Sequence, residues 1–143
     1  MRDGFIKVAA VTPEVKVADI AFNLAEIKRR ITEAAAGGAK LIVFPELSIS
    51  AYSCRDIFFN DLLLQKSREA LLDIAAFSTD IDALIFVGLP ISRNGKLYNV
   101  AAAVNNGHIL GLVPKLNVPN YGEFYETRQF TPGFIEPTEI RIG

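Results

Sequence analysis

Leu41-Ile42-Val43-Phe44-Pro45-Glu46-Leu47 decides how the chain folds. Four apolar residues without a polar break read as a short strand buried on both faces. Pro45 stops it, because proline has no N–H to offer a ladder. Just upstream, Gly37-Gly38 closes a helix in the way glycine commonly does. In that helix Ile20, Leu24, Ile27 and Ile31 recur at helical spacing, with Lys28, Arg29, Arg30 and Glu33 on the other faces. Asp19 is placed to cap it. Further back, Phe5 to Val11 reads as another strand covered on both faces, broken by Thr12-Pro13. Strand, helix, strand over the first 45 residues predicts an α/β unit with parallel pairing.

Downstream, Glu46 to Asn60 reads as mixed loop, and a helix follows from Asp61 to Phe77 with Leu64, Leu71 and Ala75 on one stripe. Ala83 to Leu89 is a buried strand. Two short strands, Pro90 to Arg93 and Lys96 to Val104, are expected to join at Asn94-Gly95, a type I′ hairpin pair. Asn106-Gly107 turns the chain into a strand from His108 to Val113. A long irregular segment with four prolines follows, and loops of that length tend to carry function. Thr138 to Ile142 reads as one more strand. A domain seldom stops on such a segment, so the sequence reads as the first part of a domain.

Composition narrows the function classes. Half of the 143 residues are hydrophobic, 22% are charged, and the formal net charge is −1. Disorder is not expected from that balance, and a nucleic-acid partner normally requires a basic excess. No apolar run reaches the roughly 20 residues that span a bilayer, and the first residues do not form a signal peptide. Cys54 is the single cysteine, so no internal disulfide is possible, no Cys/His cluster suggests zinc, and a reducing, cytoplasmic setting is expected. Gly88 to Lys96 superficially resembles a phosphate loop, but six residues separate its glycines where that motif has four.

Two segments carry chemistry. Glu46 directly follows a buried strand, at the end where open α/β sheets hold ligands, and a carboxylate there suits proton transfer. Lys115 follows a strand in the same way. If the two strands are neighbours, an acid and an amine converge, and the amine can balance a developing oxyanion. Taken singly, each has a plainer reading, as an exposed loop acid and a surface lysine.

Taken together, Phe44-Pro45-Glu46-Leu47, Tyr98-Asn99 and the strand before Lys115 resemble, in order, the pattern of the nitrilase, or carbon–nitrogen hydrolase, superfamily. The run Lys115-Leu-Asn-Val-Pro-Asn-Tyr-Gly-Glu-Phe-Tyr-Glu-Thr-Arg-Gln-Phe-Thr-Pro-Gly133 is similar to that of the glutaminase domain of glutamine-dependent NAD synthetases. Ala51-Tyr52-Ser53 with Asp56 also resembles that group, with alanine in place of its glycine. The resemblance implies an α/β fold of the nitrilase-type α-β-β-α sandwich, with residues 1–143 as its N-terminal part. It implies Glu46 as general base and acid, Lys115 as oxyanion stabiliser, Glu126 as an orienting residue, and Tyr121 and Phe124 as walls of a glutamine pocket. It implies a Glu–Lys–Cys triad whose cysteine lies beyond these residues, so Cys54 is expected to be a packing residue and the 143-residue piece inactive alone. The implied partner is a C-terminal synthetase domain using ATP and Mg²⁺. No cofactor or metal is expected in these residues, and a homo-oligomer is expected. Two other readings stay open: a stand-alone nitrilase-type amidase or carbamoylase, and a non-catalytic interaction module.

Overall fold

The computed structural model describes residues 4–142. Strands Val8–Ala10 (β1), Leu41–Val43 (β2), Leu84–Arg93 (β3), Lys96–Asn105 (β4) and His108–Pro114 (β5) form one sheet in the order β1-β2-β3-β4-β5. The first three run parallel and the last three form an antiparallel meander. Helices Ile20–Ala36 (α1) and Asp61–Phe77 (α2) supply the two parallel crossovers.

The helices form where the pattern predicts. The Asp19 carboxylate accepts from Phe22 N at 3.0 Å, and Asn60 caps α2 by accepting from Leu62 N and Leu63 N. Ile27 and Ile31 of α1 and Leu71 and Ile74 of α2 are fully buried. They meet Ile42, Ile85, Val87, Leu89, Val100, Ala102 and Val104 of the sheet in one core. Both helices therefore cover the same face. The opposite face holds Ala10, Val43, Phe86 and Ala103 in register and is open, with Val43 41% and Val113 62% exposed. The described residues thus supply one helix layer and one sheet of the expected sandwich.

Several expectations need correction. β1 is shorter than Phe5 to Val11 and is not covered on both faces: it is an edge strand, and Val8 is 58% exposed on the open face. The loop after Glu46 contains a kinked 3-10 helix, Tyr52–Phe59. Thr138 to Ile142 forms no strand. The predicted break at Pro90 is absent, and β3 runs through it. The reason lies in which way the N–H groups point. Leu84 N donates to Lys40 O and Gly88 N to Ser48 Oγ, so even-numbered residues of β3 turn their nitrogens towards β2. Pro90 turns its nitrogen the same way, past the last β2 pairing at Phe86, and no bond to β4 is lost.

One backbone position makes a stability prediction. Ala51 has φ 69° and ψ 154°, a region almost exclusive to glycine that costs other residues of order 1–3 kcal/mol. Glycine's extra unfolded-state entropy offsets roughly 0.5–1 kcal/mol of the relief. Ala51→Gly is expected to stabilise the fold by about 1 kcal/mol, visible as a higher denaturant midpoint; an unchanged midpoint contradicts the strain.

Candidate active site

Glu46 sits on a tight turn just past β2. Ser48 N donates to Pro45 O at 3.2 Å and Ser50 N to Leu47 O at 3.1 Å, and Leu47 turns with φ 51°. Phe44 and Leu47 are buried on either side of Pro45-Glu46, which leaves the Glu46 side chain at the surface of the site. Asn23 anchors the turn from below: it is fully buried and donates to both Lys16 O and Ile49 O. Lys115 leaves the end of β5, where its backbone N–H donates to Asn99 O at 2.8 Å.

The two side chains meet. Lys115 Nζ lies 2.7 Å from Glu46 Oε1, and 3.0 and 2.9 Å from the two oxygens of Glu126. Glu126 opens a short 3-10 turn, Glu126–Arg128. Asn99 Nδ2 donates to the same Glu46 oxygen, and Tyr52 Oη donates to Glu126 Oε1 at 2.5 Å. The side chains of Lys115, Glu46 and Glu126 are 29%, 40% and 7% exposed. Glu46 is therefore the carboxylate open to an incoming molecule. Glu126 is buried, with both oxygens engaged by Lys115 and one also by Tyr52. Two further contacts hold the Glu126 turn against the 3-10 helix: Arg128 grips Asp56 through two bonds of 3.0 and 2.9 Å, and Phe58 and Phe130 pack edge to face at 4.9 Å.

Charge follows from this geometry. Burial works against the Lys115 ammonium, but the hydrogen bonds and charges of Glu46 and Glu126 outweigh it and hold its pKa above the ordinary 10.5. Lys115 is accordingly a cation at neutral pH. Because the folded value is raised, its stabilising contribution is fully present below the ordinary lysine value and is lost as pH rises through the folded one. The stability gap between the wild type and Lys115→Met is expected to hold up to the ordinary lysine value of 10.5 and to shrink as pH rises above it, as read from thermal midpoints. Burial, and then the bond to Glu126, raise the Tyr52 hydroxyl well above its usual range, so it stays a donor.

The other candidates are less central. Tyr121 and Phe124 pack edge to face at 5.8 Å on the loop between Lys115 and Glu126, with Tyr121 72% exposed. A cavity of about 650 Å³ lies beside the cluster, lined by Tyr52, Arg55, Asp56, Tyr125, Glu126 and Arg128 among others; Tyr121 and Phe124 lie outside its lining. Cys54 is 1% exposed among Leu47, Phe58, Leu63 and Phe130. Its thiol donates to Ser50 O at 3.0 Å, and burial raises its pKa, the opposite of what a nucleophile requires. Among the described residues no group of three or more His, Cys, Asp or Glu could hold a metal ion, and no helix is long and apolar enough to cross a membrane.

Asn99 and Tyr52 touch the two carboxylates, yet sequence reasoning did not single either out as a site residue. Asn99 did carry a signal: Tyr98-Asn99 was part of the family resemblance, and an asparagine beside the apolar run Val100-Ala101-Ala102 of β4 is atypical of strands. Tyr52 entered the resemblance within Ala51-Tyr52-Ser53 but without a role, because its partner lies 74 positions away.

Comparison with known proteins agrees with the fold and places the chain. It is 41% identical over 142 residues to the glutamine-dependent NAD(+) synthetase of Mycobacterium tuberculosis, covering 99% of this chain and 21% of that protein. The Thermotoga maritima enzyme of the same name is 34% identical over 125 residues. The chain thus spans about a fifth of the length of these relatives. The crystal structure of a glutamine-dependent NAD(+) synthetase from Cytophaga hutchinsonii superposes with a TM-score of 0.84 at 32% identity, covering 89% of this chain and 22% of that one. An amidase from Nesterenkonia sp. shares the fold with a TM-score of 0.78 at 23% identity, over 99% of this chain and 53% of its own. The carbon–nitrogen hydrolase family model matches residues 7–143, and the chain belongs to the carbon–nitrogen hydrolase family.

Proposed function

We propose that this chain forms the acid/base and oxyanion half of a glutaminase site, and that the intact protein hydrolyses the side-chain amide of glutamine to supply ammonia for a synthetase reaction. The observation that carries this reading is the Lys115 ammonium held between Glu46 and Glu126 at strand ends, at 2.7–3.0 Å. The identity with glutamine-dependent NAD(+) synthetases supports glutamine as the amide, and on this reading the ammonia acceptor is deamido-NAD. ATP and Mg²⁺ belong, on this reading, to a synthetase domain outside these residues, and no step below uses them.

Glu46 accepts the proton of a cysteine thiol supplied from outside this sequence, and the sulfur attacks the amide carbon. Negative charge develops on the carbonyl oxygen, where Lys115 balances it. Glu46 returns the proton to the departing ammonia. Water, activated by Glu46, then cleaves the thioester to release glutamate. Glu126 and Tyr52 keep the ammonium aimed, and Asn99 fixes the Glu46 oxygen next to it. Cys54 takes no part on this reading, because it is buried among apolar side chains and burial disfavours its thiolate.

The test is ammonia release from glutamine. The 143-residue chain alone is expected to release none, and its Cys54→Ala variant to behave the same. Turnover by the isolated chain that survives Cys54→Ala would overturn the assignment of the nucleophile. In the full-length protein, Asn99→Ala is expected to lower glutamine turnover by on the order of tenfold, because Glu46 loses a fixed donor worth about 1–2 kcal/mol; unchanged kcat rules that role out.

A further inference from the structure

Two glycines lie under the two charged residues of the site, and neither takes the left-handed backbone that favours glycine. What they require is space. A Cβ on Gly88 would lie 2.3 Å from Leu47 N and 2.9 Å from both Glu46 C and Pro45 O. A Cβ on Gly133 would lie 2.7 and 2.9 Å from Pro114 Cβ and Cγ and 3.0 Å from Pro114 O. The obstacles are backbone atoms or a proline ring, which cannot swing aside.

Both contacts are also locked by hydrogen bonds. Gly88 N donates to Ser48 Oγ at 3.2 Å, and Ile49 N donates to Gly88 O at 3.1 Å. The turn carrying Glu46 is thereby drawn onto β3 on both sides of the Gly88 Cα. Gly133 N donates to Lys115 O at 2.8 Å, which draws the returning chain onto the backbone of Lys115 itself, against the Pro114 ring before it. Gly111, on β5, has nothing within 4 Å of its Cβ position. Close packing under the site is therefore selective and not a general property of the sheet.

The geometry points to Gly88 and Gly133 as positioning residues, each a spacer that sets where one partner of the Glu46–Lys115 pair stands. This inference rests on the proposed function for its catalytic consequence and on packing alone for its structural one. Relieving the Gly88 contact from 2.3 Å to an ordinary 3.4 Å moves the Glu46 turn by about 1 Å. A displacement of that size at a reacting group can cost on the order of 10² in rate. Gly133 needs a smaller shift, which moves Lys115 less.

Three variants of the full-length protein test this, each read by a crystal structure and by glutamine turnover per folded molecule. Gly88→Ala is expected to separate Glu46 from Lys115 beyond about 4 Å and to lower kcat on the order of 100-fold, with KM for glutamine within about threefold. Gly133→Ala is expected to lower kcat roughly tenfold, and Gly111→Ala to match the wild type. A retained Glu46–Lys115 contact in Gly88→Ala, or unchanged kcat once the contact has opened, overturns the proposal. So does a Gly88→Ala protein that does not fold, because the glycine is then a folding requirement and not a spacer for the site. If Glu46→Gln itself leaves turnover intact, the proposed function fails, while the measured separation still decides the positioning role.

Discussion

Replacing Lys115 with alanine in the full-length protein is expected to lower ammonia release from glutamine on the order of 10³-fold. Two losses act together. The first is the cation itself: removing one oxyanion donor typically costs about 10²–10³, and Lys115 brings a full charge rather than a dipole. The second is the cluster. Glu126 is 7% exposed and faces Glu46 only because the ammonium lies between them. Without it, two carboxylates converge with Tyr52 and Asn99 as remaining donors, and the repulsion favours proton uptake by one of them. A protonated or displaced Glu46 cannot accept the thiol proton. Stability falls as well, by about 1–3 kcal/mol, at the low end because Lys115 still reaches solvent. Ammonia release and thermal midpoint on the same preparation check both parts. Turnover within tenfold of wild type would remove Lys115 from the chemistry.

Glu46→Gln is expected to separate the two effects. The amide keeps the shape and can still accept from Lys115 and Asn99, so stability should change by less than about 0.5 kcal/mol. Proton transfer is lost, which costs about 10²–10⁴. In the same protein, synthesis from free ammonia should be spared, because only the amide-hydrolysing step needs Glu46. Loss of synthesis from both nitrogen sources in a folded Glu46→Gln protein would contradict the assignment of this site to amide hydrolysis. Lys115→Ala and Glu46→Gln therefore differ in a way an inert surface ion pair could not imitate: both abolish turnover, but only the first costs stability.

How far the site was legible follows from how each residue is determined. Glu46 and Lys115 could be read because each stands within three positions of a strand end, and strand ends are marked locally by apolar runs and proline. Their meeting depended on sheet order, in which β2 and β5 are not neighbours but have β3 and β4 between them. Nothing local encodes that order. Glu126 came through the resemblance alone, since a glutamate in a loop has no pattern of its own. Asn99 and Tyr52 needed partners 53 and 74 positions away. Gly88 was read as part of a buried strand and of a discarded phosphate-loop match, with no role of its own, because the Leu47 nitrogen that forbids a side chain there comes from another strand's turn.

The amino-acid sequence by itself determined the periodic elements: α1 with its Asp19 cap and Gly37 stop, α2 from Asp61 to Phe77, and the hairpin at Asn94-Gly95. These depend on interactions within a few positions, so spacing and caps suffice. Tertiary structure alone decided that β3 runs through Pro90, that β1 is an edge with one open face, that Cys54 is sealed away, and that Lys115 lies between two carboxylates. Each is a statement about what lies across a strand or under a turn, where burial and packing, not local preference, set the free energy.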